Sequence, residues 1–106
     1  MKTIWEWNLE PYGATVLSLP KKTEVLSVQL RKGRFVLWGI STGTPLGDPV
    51  EERVFCVYAT REPILGNPGQ HIVTIQGNDD MVWHIFEDLE WRTRNGGLEW
   101  RAGAGE

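Results

Sequence analysis

Hydrophobic and polar positions alternate with a period of two along most of the chain, the pattern of half-buried β-strands. Thr3–Leu9 sets Trp5, Trp7 and Leu9 on one face against Ile4, Glu6 and Asn8 on the other. Pro11-Tyr12-Gly13 interrupts as a turn. Ala14–Leu19 is a short strand stopped by Pro20, and Glu24–Arg31 and Arg34–Ile40 alternate on either side of Lys32-Gly33. Glu52–Thr60 is apolar on both faces around Phe55 and Val57, which predicts a central strand. Gln70–Gln76 and Met81–Glu87 flank Gly77-Asn78-Asp79-Asp80, while Ser41–Val50 and Glu62–Gly69 are loops by composition. No longer window carries a helical period.

The turns predict registers. A two-residue loop ending in Gly33 suits a primed hairpin turn. It opposes Arg31 to Arg34, Leu30 to Phe35, Val28 to Leu37, Ser27 to Trp38, Leu26 to Gly39 and Val25 to Ile40. One face is then wholly apolar: Leu26, Val28, Leu30, Phe35 and Leu37. Gly39 marks a bulge or a close backbone approach. In the second hairpin a two- or four-residue loop opposes Ile75 to Val82, Val73 to His84 and His71 to Phe86. Seven strands at this spacing predict an all-β fold, a small antiparallel β-sandwich or partly open barrel.

Residues 1–88 read as one β domain and 89–106 as a tail. Leu89-Glu90-Trp91-Arg92 recurs nine residues later as Leu98-Glu99-Trp100-Arg101. Asn95-Gly96 between the copies favours a type I′ turn. The resulting C-terminal β-hairpin would face Trp91 with Trp100 and pair Glu90 with Arg101 and Arg92 with Glu99; the alternative is a frayed end. A hairpin alone is marginal in water. Trp91, Arg92, Trp100 and Arg101 are therefore candidates for contact with a partner or a second subunit.

Composition narrows the function. Six tryptophans in 106 residues exceed what so small a core absorbs, which points to interfaces and to a homo-oligomer. A net charge of −3 gives no strong nucleic-acid signal. The apolar runs are too short to span a membrane. One cysteine, and a start without an apolar leader core, predict a cytoplasmic protein.

No sequence pattern for nucleotide-loop, serine-hydrolase or zinc-protease chemistry is present. One Cys and two His are too few for a Cys/His zinc site, so no metal or other cofactor is expected. Cys56 could pair with a histidine as a nucleophile, but it lies mid-strand among Phe55, Val57 and Tyr58, where a cysteine is ordinarily core. His71 and His84 share a face, either as a small pH-responsive site or as ordinary packing. Asp79-Asp80 is better explained as turn than as metal loop. Arg31, Lys32 and Arg34 cluster at a hairpin tip, with Lys21-Lys22 in the preceding loop and Trp38 as a stacking partner. That set would hold a small anionic ligand, and its rival role is protecting the strand edge by charge.

The opening Met-Lys-Thr-Ile-Trp, Val25-Leu26-Ser27-Val28-Gln29, Leu37-Trp38 and Trp83-His84-Ile85-Phe86-Glu87 resemble a family of short hypothetical proteins of tailed phages and prophages, over about residues 1–88. That family has no assigned activity and hence no catalytic residues to carry over. The resemblance implies a phage or mobile-element protein made in the host cytoplasm. The expectation is a non-enzymatic binding protein, an anti-defence inhibitor that binds a host immune protein or sequesters a nucleotide-type signal. The alternatives are a virion structural or morphogenesis protein and, further off, a cryptic small enzyme.

Overall fold

A computed structural model describes residues 1–77 and 80–94. Seven strands follow in order: β1 (Thr3–Leu9), β2 (Gly13–Pro20), β3 (Glu24–Arg31), β4 (Arg34–Ser41), β5 (Val50–Ala59), β6 (Gln70–Gln76) and β7 (Val82–Glu87). A short helix, α1 (Leu89–Arg94), follows them. The strands form two antiparallel sheets, β1-β4-β3 and β2-β5-β7-β6. The fold is a two-sheet sandwich rather than a closed barrel, and β5 is an inner strand as its two apolar faces predict. Among the described residues no helix is long and apolar enough to cross a membrane.

The core lies between the sheets. Leu9, Val28, Phe35 and Leu37 from the first meet Leu17, Leu19, Phe55, Val57, Ile75 and Ile85 from the second. Trp7 and Trp83 pack against it half-buried. Trp83 lies edge-on to Phe35 at 5.7 Å and to Tyr12 at 6.4 Å. These geometries are the preferred ones for aromatic pairs.

The β3–β4 hairpin turns through Lys32 (φ 52°) and Gly33 (φ 77°), the positive pair a type I′ turn requires. The expected pairs hold from Arg31↔Arg34 to Ser27↔Trp38. Beyond them the register shifts, and Val25 rather than Leu26 opposes Gly39. Leu26 is the bulged residue and is exposed, while Val25 packs against the core. Gly39 also makes a close approach: a Cβ there would lie 2.7 Å from Thr23 Cγ2.

The second hairpin is offset by one residue from expectation. Ile75 opposes Trp83, Thr74 opposes His84 and Val73 opposes Ile85. Gly77 N–H donates to Met81 C=O at 2.7 Å, closing a loop of odd length. A bulge at Ile72 then restores the expected His71↔Phe86 pair. Since a one-residue slip exchanges the faces of a strand, Val73 and Ile75 turn to the core and Thr74 joins the histidines outside.

The tail departs most from expectation. The first Leu-Glu-Trp-Arg copy belongs to a helix, so it is not the first strand of a hairpin. Asp88 explains why: its Oδ1 accepts from Trp91 N–H at 2.9 Å, the bond of an N-cap, and Glu90 supplies an acidic first turn. The Asn95-Gly96 turn, Trp100 and Arg101 lie outside the described residues.

Candidate functional site

Alternation along β1, β3 and β4 sends Glu6, Asn8, Gln29, Arg31, Arg34, Val36 and Trp38 to the outer face of the three-stranded sheet. At the β3–β4 tip, Glu6, Asn8, Arg31, Lys32, Arg34 and Val36 line a shallow depression of about 320 Å³. Its floor is Val36, 4% exposed; its rim is three exposed cations. Arg31 Nη1 lies 4.0 Å from Glu6 Oε1, with both side chains more than half exposed. An ion pair of that kind contributes little to stability. Arg31 and Arg34 are also register partners, and like charges directly opposed are unfavourable. The tip thus concentrates positive charge where packing does not require it.

The structure brings three of the four ligand candidates together. Trp38 shares their face but lies one step beyond Val36, between Glu6 and Ser27, and does not line the depression. Lys21 and Lys22 sit at the far end of β3, roughly 20 Å from Arg31 at ~3.3 Å per residue, so they are separate from this cluster. Glu6 and Asn8 were not evident from sequence. Only the β1–β4 pairing, Trp7↔Leu37 and its neighbours, puts them beside the tip.

On the outer face of the second sheet a hydrogen-bonded chain runs through both histidines. His71 Nε2 is 2.8 Å from Thr74 Oγ1, which is 3.0 Å from His84 Nδ1; His84 Nε2 is 2.8 Å from Thr60 Oγ1. Phe86 lies edge-on to His71 and Tyr58. Cys56 is on this face, half-buried beside Tyr58. Burial pushes its thiol up from the ordinary value, a hydrogen bond from Tyr58 opposes that rise, and the Asp88 charge adds to it. A thiol held protonated is a poor nucleophile. Among the described residues no three His, Cys, Asp or Glu side chains cluster as a metal site would require.

Of the tail candidates, Trp91 is half-buried on α1, which packs against β5. It is held to the domain, not on the open ribbon that the repeat predicts. Arg92 belongs to α1 by its backbone; its side chain, like Trp100 and Arg101, lies outside the described residues.

The strongest electrostatic feature was missed in the sequence. Arg53 and Glu87 are 5% and 2% exposed. Arg53 Nε and Nη2 donate to Glu87 Oε2 and Oε1 at 2.6 and 2.8 Å, and Nη1 donates to Thr23 C=O at 2.6 Å. The clamp ties β5 and β7 to the β2–β3 connection. Its signal was a charge on the core-facing parity of each strand, two positions before Phe55 and two after Ile85.

No curated protein and no solved structure matches the chain. A family model matches residues 1–95, described as a domain of unknown function, DUF7352. The match spans both sheets, the basic tip and α1, and the chain belongs to this family.

Proposed function

We propose that the protein is a non-enzymatic binding module that takes a small anionic ligand of nucleotide type at the β3–β4 tip. The observation that supports this is the convergence of Arg31, Lys32 and Arg34 on one depression, with a single carboxylate, Glu6, among its lining residues. The tight turn presents the cations on a short, defined loop, which lowers the ordering cost of binding. Asn8 offers an amide for hydrogen bonding beside them. Charge-assisted bonds from guanidinium to phosphate are the strong, geometrically selective ones.

The resemblance to phage proteins supports setting this activity in an infected bacterium, where sequestering a nucleotide signal would blunt host defence. The test is calorimetric titration of the full chain with mono-, di- and cyclic nucleotides, with inorganic phosphate for comparison. A nucleotide should bind, and Arg31→Ala with Arg34→Ala should abolish binding. The melting temperature should barely move, because exposed substitutions shift stability by no more than about 0.5 kcal/mol. Absence of binding across the panel, or binding unchanged in the double variant, would return the cations to edge protection.

A further inference from the structure

We infer that β2 is a self-pairing edge: two copies of this chain join through it about a two-fold axis, making one continuous eight-stranded sheet from the two four-stranded ones. Among the described residues four strands end the two sheets, β1, β3, β2 and β6, and an exposed edge is normally guarded by charge or a bulge. β1 carries Glu6 at mid-strand. β3 is bulged at Leu26 and β6 at Ile72. β2, Gly-Ala-Thr-Val-Leu-Ser-Leu-Pro, has neither a charge nor a break in register along its pairing with β5.

The backbone fixes which groups point outward. Asp88 N–H donates to Val54 C=O, so Val54 faces β7, and its register partner Val16 turns its own N–H and C=O away from β5. Lys21 N–H donates to Pro49 C=O, which independently gives the odd-numbered residues of β2 to β5. Ala14, Val16 and Ser18 therefore present their N–H and C=O groups outward. All three residues are exposed, Val16 by 48%. At the other end Pro20 is buried under the loop containing Gly43 and Pro49.

A two-fold axis normal to the sheet keeps both cores on one side, and it requires opposed residues of like parity. Centred on Val16, it opposes Val16 to its own copy and Ala14 to Ser18. Every outward N–H and C=O of these three residues then finds a partner in a closely spaced antiparallel pair. A second copy is the occupant that suits this edge: self-pairing sets each residue near its equivalent, which an uncharged strand tolerates and a charged one does not.

Sedimentation of the full chain over a range of concentrations tests this. Mass should rise from 12.1 kDa to twice that value, because a single edge buries less than a standard interface and dissociates on dilution. Val16→Lys sets like charges on the axis and should weaken association by roughly tenfold or more. Ser18→Pro removes an outward N–H without touching the bonds to β5 and should do the same. Ser27→Lys, on β3, should leave association unchanged, and all three should melt as cooperatively as the parent. A chain that stays at 12.1 kDa near millimolar concentration, including through pairing of its own residues 95–106 with β2, would overturn the inference. So would a dimer indifferent to both β2 variants.

Discussion

Arg53 and Glu87 occupy positions that alternation reserves for core side chains, and their charges survive there because they satisfy one another. The guanidinium spends Nε and Nη2 on the carboxylate and Nη1 on Thr23 C=O, and its Cζ lies over the Phe55 ring, 5.7 Å from the centroid. A buried pair is weak evidence of net stabilisation, since desolvation opposes the Coulomb gain, but removing one partner strands the other. Arg53→Met should therefore cost roughly 3–5 kcal/mol. Arg53→Met with Glu87→Leu should recover most of that loss. Urea unfolding of the two single variants and the double reads the coupling directly; an additive result would mean that the pair contributes no interaction of its own.

Glycines discipline the strands at the scale of the element. Gly69 (φ +96°) precedes β6, and a Cβ there would lie 2.2 Å from Glu87 C=O. Gly33 (φ +77°) has the same backbone handedness with open space around it. Gly69→Ala combines strain with a clash against backbone and should cost at least about 2–3 kcal/mol. Gly33→Ala should cost only about 1–2 kcal/mol. Equilibrium melts of both variants check the order, and equal losses would mean that strain alone sets the cost. The seven strands and the first hairpin's register from Arg31↔Arg34 to Ser27↔Trp38 were legible because period, β-branched content and the Lys32-Gly33 turn agree, whereas the bulge at Leu26 interrupts an unbroken alternation and left no sign in it. The second register was not, since its loop closes by a Gly77–Met81 backbone bond that composition does not encode. In the tail, the Asn95-Gly96 signal obscured the cap at Asp88, a local bond competing with a repeat of apparent hairpin spacing. The basic tip was legible as a cluster, but Glu6 and Asn8 join it through a pairing some thirty residues distant, which no local pattern carries.

For the molecule as a whole, alkaline pH is the direction in which titration of the outer face opposes folding. Cys56 and Tyr58 both have their proton affinity raised in the folded state, first by burial. Between the ordinary value and the folded one, the native chain holds more protons than the unfolded chain, so stability falls as pH rises. The contribution is intact below the ordinary thiol value of 9.0 and is lost above it, with the phenol following beyond 10.0. Urea midpoints should show this decline above pH 9, and Cys56→Ser should remove its earlier part. An identical profile in that variant would assign the decline to other groups.

The strand order also sets how the chain must assemble. The β3–β4 and β6–β7 hairpins are local, one in each sheet, and can close as soon as they are made. β1 must wait for β4, with Thr3 pairing Ser41, and β2 must wait for β5, with Gly13 pairing Val57. Non-local pairings of this kind place the chain among slow, millisecond-to-second folders. During synthesis at about 5–20 residues per second, β2 emerges seconds before its partner exists. Throughout that interval an uncharged, β-prone segment has both edges open, so nascent chains on one message are where misassembly through β2 would begin.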